Sequence, residues 1–197
     1  MVSVCVVCLL LIFQLDFSSA YSDETKVVKW LKTALLWNDN RLTWIPSRFG
    51  NVDTIRIPIR DIWRPDLFLY NKQVNYFFNH MELSNQVNVE AMAVVSYDGT
   101  VLWVPTAKMT VMAKRQTSWI PYGDKYVASF KYGSWTYDGF KLDVAFFDNR
   151  TSMVMDDYIS QDSFEIVENS AVKNVKKYPC CDEPYPDLTF TLAFKVL

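Results

Sequence analysis

Beyond residue 20, apolar and polar positions alternate along most of the chain. Ile55, Ile57 and Ile59 are interleaved with Thr54, Arg56 and Arg60, and the stretches 88–94 and 189–194 follow the same period of two. That period sets one face of a strand on a core and the other in water. Asp98-Gly99 stands between two such runs, and Asp-Gly is a favoured pair for a tight hairpin turn. Pro105, Pro121 and Pro179 fall where strands should end or run along an edge. No repeat and no low-complexity linker interrupts the pattern. The expectation is one all-β domain, an antiparallel β-sandwich.

The first twenty residues follow a different pattern. An apolar run over 2–13 gives way to Gln14 and Asp16 and then to Ser18, Ser19 and Ala20. The run is short for a membrane span and fits a signal peptide cleaved near Ala20, which would also remove Cys5 and Cys8. The expected organisation is therefore a leader over 1–20 and a domain over 21–197, secreted, with no membrane span after cleavage. Half of the 197 residues are hydrophobic and 16% are aromatic, a globular composition. A net charge of −2 gives no electrostatic reason to expect nucleic acid or an anionic membrane surface. A lone histidine, His80, speaks against a zinc site or a Ser-His-Asp triad. Neither enzymatic activity nor a metal or cofactor is expected.

Three motifs carry the chemistry. They are Trp63-Arg64-Pro65-Asp66-Leu67-Phe68-Leu69-Tyr70-Asn71, then Gly133-Ser134-Trp135-Thr136-Tyr137-Asp138, then Tyr178-Pro179-Cys180-Cys181-Asp182-Glu183-Pro184-Tyr185-Pro186-Asp187. With Trp37-Asn38-Asp39, Ile57-Pro58 and Val101-Leu102-Trp103-Val104-Pro105, in that order along the chain, they resemble the ligand-binding domain of the Cys-loop receptor family over residues 28–197. The resemblance is closest to the acetylcholine-binding branch, which comprises soluble acetylcholine-binding proteins and nicotinic alpha-type subunits. One such motif is weak evidence, whereas three in register are specific.

Neighbouring Cα atoms lie about 3.8 Å apart, less than an ordinary disulfide spans, so a Cys180–Cys181 bridge would strain its own peptide. It would close almost no loop and so stabilise the fold little. Two free thiols or a metal site are the alternatives. The resemblance implies the bridge, at the tip of a loop that caps a ligand. It also implies a ligand that is a small acetylcholine-like cation. A quaternary ammonium donates no conventional hydrogen bond, so ring faces must hold it, each worth about 0.5–2 kcal/mol. The implied principal face of that cage is Tyr70, Trp135, Tyr178 and Tyr185, beside Cys180 and Cys181; the bland alternative is that such rings fill a core.

The complementary face would come from a second subunit, with Leu102 and Val104, and Val94 at a third apolar position. The family's tryptophan there lies five residues before the Trp-x-Asp motif, where this chain has Lys32. Trp30 lies two residues further back, preserves strand parity and is the candidate. Lys131, Tyr178 and Asp187 match the family's capping-loop triad; an ordinary surface ion pair is the alternative.

Three departures stand against this pattern. Ala113 and Ala128 occupy the positions of the signature-loop cysteines, which forgoes about 3 kcal/mol of cross-link stabilisation. The N-terminal helix and first strand are expected to be absent, leaving an inner-sheet edge open. The segment 72–86, with Tyr76, Phe77 and Phe78, replaces a short family turn. Asn149-Arg150-Thr151 is a glycosylation sequon. Asp156, Asp157, Asp162 and Glu165 are read as a solvated acidic face, and Lys173, Lys176 and Lys177 as a solvated strand edge. The function implied is a secreted homopentamer that binds acetylcholine or related cations. The alternative is a truncated extracellular fragment of a nicotinic-type channel subunit.

Overall fold

The computed structural model describes residues 5–18, 24–71, 91–116, 125–156 and 164–197. In chain order the strands are β1 (Cys5–Ser18), β2 (Glu24–Thr43), β3 (Thr54–Pro58), β4 (Leu67–Leu69), β5 (Met92–Ser96), β6 (Asp98–Trp103), β7 (Thr106–Gln116), β8 (Lys125–Ser134), β9 (Leu142–Phe146), β10 (Phe164–Lys177) and β11 (Pro184–Val196). Three short 3-10 turns join them, and among the described residues no helix is long and apolar enough to cross a membrane. The hydrogen-bonded order is β10-β11-β8-β7-β2-β6-β5-β3, with β4 on β8 and β1 between β2 and β9. Every pairing is antiparallel except β1 with β9.

This ribbon of strands closes over one core. Leu35, Trp37, Val101 and Trp103 of β2 and β6 share a buried cluster with Phe130, Leu188, Phe190, Leu192 and Phe194 of β8 and β11. β9 lies across from β11, not beside it, and Phe146 meets Phe190 edge to face at 5.4 Å. A fully buried side chain of this size contributes about 1.5–3 kcal/mol, so β8 and β11, which hold the fully buried Phe130, Phe190 and Phe194, anchor the fold. The alternation in 189–194 holds from Thr189 to Leu192, with Phe190 and Leu192 buried and Thr189 and Thr191 partly exposed, and ends at Ala193, which is buried between Leu192 and Phe194. Along Ile55, Ile57 and Ile59 it holds only by degrees. Ile59 is 5% exposed but Ile55 is 40% exposed, because β3 ends the path of strands and pairs with β5 alone.

The turn at Asp98-Gly99 joins β5 to β6 as expected. Gly99 has φ +86°, and a Cβ there would lie 2.6 Å from the Asp39 carbonyl oxygen, so the hairpin requires glycine. Asp39 in turn accepts bonds from the Arg41 guanidinium at 2.8 and 2.7 Å, which hold its carboxyl below the usual carboxylate range.

One expectation needs correction. The chain does not enter at the second strand of the sheet: residues 5–18 form β1, which covers one edge of β2 from Lys26 to Leu36. A near-continuous apolar run has no period, so it suits a strand covered on both faces as well as a leader core. Lys173, Lys176 and Lys177 are exposed on β10, which ends the strand path, as expected, and two of them also have partners there. Lys173 Nζ lies 2.7 Å from Asp143, and Lys176 is engaged at the site described below. Ala113 and Ala128 face each other directly across β7 and β8, both fully buried. The segment 72–86, residues 119–124, His80, Asp157 and Asp162 lie outside the described residues.

Candidate ligand-binding site

The first motif threads its tyrosine onto β8. Tyr70 N donates to the Lys131 carbonyl at 2.9 Å, and Asn71 grips the same strand twice: its Nδ2 donates to the Ser129 carbonyl and its Oδ1 accepts from Lys131 N. The ring of Tyr70 then crosses Gly133, where any Cβ would lie 2.6 Å from the phenol oxygen. Tyr70 donates its hydroxyl proton to the Ser134 carbonyl at 2.5 Å.

The second motif places an indole in the open. Trp135 is 72% exposed, against the strong tendency of large aromatics to be buried. Asp66 holds it there. One carboxylate oxygen accepts from Ser134 Oγ at 2.6 Å and the other from Thr136 N at 2.8 Å, while Tyr137 N donates to Ser134 Oγ. Each hydrogen bond to a charged acceptor contributes about 1.5–3 kcal/mol, so the turn is rigid where the indole emerges. Tyr70 and Phe68 flank Trp135 with ring centroids at 6.1 and 5.7 Å. Sequence reasoning quoted Asp66 and Phe68 within the motif without giving either a role. Strand parity could have found Phe68, two residues before Tyr70 and so on the same side.

The third motif is the hairpin between β10 and β11. Tyr178 and Tyr185 pack edge to face at 5.3 Å, and Cys180 is bonded to Cys181 with Cα atoms 3.8 Å apart. The hairpin base is tied to the Trp135 loop by Gly139 N, which donates to the Pro184 carbonyl at 2.7 Å. Below the tyrosines lies a carboxylate that is 3% exposed, Asp187. It is bound by Lys131 Nζ at 2.9 Å, Asn174 Nδ2 at 2.8 Å and Thr189 Oγ1 at 2.9 Å. The structure thus brings together Lys131 and Asp187 of the expected triad but not Tyr178, which makes no hydrogen bond to either among the described residues. Its ring instead carries the Lys176 ammonium at 4.5 Å from the centroid.

Electrostatically the cradle is acidic around Tyr70. Burial first, and then the charges of Asp187 and Asp66, push its phenol above the usual tyrosine range, so the ring stays neutral. Among the described residues no ring contact joins the Tyr70–Trp135 pair to the Tyr178–Tyr185 pair, although Tyr178 stands close enough to bear on the Tyr70 phenol.

Leu102 and Val104 lie elsewhere. Leu102 pairs across the sheet with Leu36 and Val94, on the side of β6 that turns away from the buried Val101 and Trp103, and Val104 is exposed just past the strand. From β8 to β6 the path crosses β7 and β2, so these residues belong to a different part of the sheet from the strand that leads to Trp135. Trp30 and Lys32 stand two apart in β2, opposite Lys108 and Thr106. Asn149 is exposed in a turn with φ +53°. Asp156 and Glu165 are exposed, and among the described residues no group of three acidic, histidine or cysteine side chains could hold a metal ion.

Residues 4–195 match the family described as the neurotransmitter-gated ion-channel ligand binding domain. The chain belongs to that family. The family is one of ligand-gated channels and binding proteins, not of enzymes. This neurotransmitter-gated ligand-binding domain is 35% identical over 168 residues to human neuronal acetylcholine receptor subunit alpha-3, covering 85% of this chain and 31% of that one. It is 34% identical over 166 residues to a Manduca sexta acetylcholine receptor subunit alpha-like protein, covering 81% and 30%. Among solved structures it is similar to Capitella teleta AChBP in complex with lobeline. There the TM-score is 0.82 and the identity 28%, over 99% of this chain and 85% of that one. The domain therefore spans about a third of the length of these receptor subunits.

Proposed function

We propose that this domain binds a small organic cation of the acetylcholine class in an aromatic cage shared between two copies of the chain, and that it does so as a secreted binding protein. The observation that carries this is Trp135, an indole held in the open by the Asp66 hydrogen bonds. Packing gives no reason for that exposure, whereas a cation gives one. Tyr70 and the Tyr178–Tyr185 pair supply further ring faces. Cys180 and Cys181 stiffen the lip, and Leu102, Val104 and Trp30 of a neighbouring copy close the cage. Head-to-tail contacts of this kind close only in a ring, and the resemblance makes it a homopentamer. Titration of tryptophan fluorescence with acetylcholine tests the site. Quenching should saturate in the assembled protein and be lost in Trp135→Ala; binding that survives that substitution unchanged overturns the cage. Light scattering tests the ring, and a monodisperse monomer that binds would overturn it.

The second reading is the extracellular part of a nicotinic-type channel subunit, favoured by receptor relatives of which the chain spans about a third. The coverage of 85% of an AChBP chain favours the first. Sizing the product in native tissue separates them. The leader over 1–20 stands as a proposal beside the strand that those residues form. N-terminal peptide mapping of the secreted protein decides, with a start near residue 21 for a leader and recovery of residues 5–18 for a retained β1.

A further inference from the structure

The ring of Tyr178 already holds a cation of the protein's own. Lys176 Nζ stands 4.5 Å from its centroid, inside the range at which a ring face attracts a charge. Lys176 lies two residues before Tyr178 and two after Asn174, whose amide reaches Asp187. The alternation of β10 therefore puts it on the site side of the hairpin. Its register partner on β11 is Tyr185, the ring that packs against Tyr178. Lys131, the other lysine of the site, is ion-paired with Asp187. Lys176 instead points its charge at the cage.

We propose that Lys176 is a tethered competitor. Its ammonium occupies Tyr178 in the empty site, and an entering cation must displace it or bind against its field, so that Lys176 sets the selectivity of the cage by charge. This rests on the reading that the site takes an organic cation. A ring face accepts one cation at contact. A ligand on the same face requires Lys176 to leave. A ligand on the opposite face leaves two like charges about twice the Lys176–ring distance apart, near the screening length of roughly 8 Å at physiological salt. Displacement costs any ligand on that face, charged or not, whereas the field of the ammonium adds a cost that only a charged ligand bears, and that added part separates acetylcholine from an uncharged ligand of the same shape. An exposed cation–ring contact of ordinary strength corresponds to a change in affinity of about two- to fivefold.

The test uses the assembled protein, acetylcholine, and its uncharged carbon isostere 3,3-dimethylbutyl acetate, with Lys176→Met to keep the apolar stem and Lys176→Arg to keep the charge. Lys176→Met should bind acetylcholine about two- to fivefold more tightly, with the isostere tightened less and Lys176→Arg close to wild type. A readout independent of ligand is the lysine ε-methylene resonance in 13C-labelled protein. One signal should be shifted upfield by the ring, vanish in Lys176→Met and return to the ordinary position in Tyr178→Leu. Unchanged or weaker acetylcholine binding in Lys176→Met, or equal tightening of both ligands, overturns the competitor while leaving the cation site standing. Failure of wild type and Lys176→Met alike to bind acetylcholine overturns the function and the competitor with it, even where the shifted resonance is seen.

Discussion

Ala113 and Ala128 face one another across β7 and β8 with no exposed surface, whereas Cys180 and Cys181 are neighbours in sequence at the tip of a hairpin, joined to each other. The first pair is placed where a cross-link would close a long loop and restrict the unfolded chain, a contribution of about 3 kcal/mol. The second closes almost nothing and by the same reckoning contributes about 1 kcal/mol. The chain carries the bridge that does less for stability and fills the other position with two packed methyl groups. Cross-linking for the fold and cross-linking for the site are thus separate matters in this molecule, and each can be altered without the other.

The largest effect should come from restoring the absent bridge. Ala113→Cys/Ala128→Cys, oxidised, should stabilise the protein by about 3 kcal/mol against urea and leave acetylcholine affinity unchanged. A double variant with two free thiols would show that the pairing of β7 with β8 is wrong. Asp66→Ala comes next. Two hydrogen bonds to a charged acceptor are lost, so a destabilisation of about 2 kcal/mol is expected, with a loss of the fixed Trp135 environment in near-UV circular dichroism. An unchanged spectrum would remove Asp66 from its positioning role.

Cys180→Ser/Cys181→Ser should invert the first result, weakening acetylcholine binding about tenfold, or 1.4 kcal/mol, while stability falls by about 1 kcal/mol or less. Greater loss of stability than of binding would make the tip bridge a staple after all. The smallest effect is expected from pH. A free thiol would titrate near 8.5, and a bonded pair does not titrate. The Tyr70 phenol is raised by burial and by Asp187 and Asp66, so what its neutral form contributes is complete below the ordinary tyrosine value and is lost only as pH rises through the raised one. Affinity measured from about pH 6 to 9 should be flat as far as these groups decide it. A step near 8 to 9 would point to reduced cysteines.

Much of this was legible in the residues, for reasons that also mark the limits. β11 could be seen because apolar and polar residues alternate from Leu188 to Leu192, and the β5–β6 turn because only glycine tolerates the approach to Asp39. β10 is less regular. Its pairing slips between Ile166 and Glu168, so Phe164 and Ala171, both buried, differ in parity and conceal the period of two. β1 is not decided by its pattern, because a continuous apolar run fits a leader, a buried helix or a strand alike. At the site the rings were identifiable from the motifs, but the support beneath them was not. Asp66 acts on residues 68 and 70 positions away, a distance at which no local pattern speaks. The engagement of Tyr178 by Lys176 instead of by Lys131 or Asp187 depends on side-chain placement that motif order cannot convey.

The separation of the Trp135 wall from Leu102 along the strand path has a genetic consequence. If neighbouring copies share each site, the two halves behave as distinct complementation groups within one gene. Trp135→Ala ruins a subunit's own half and leaves intact the half it lends to its neighbour; Leu102→Asp does the reverse. Each variant alone should bind nothing. Expressed together in equal amounts and assembling at random, about a quarter of their interfaces would join the sound half of one to the sound half of the other, and two inactive alleles would yield an active protein.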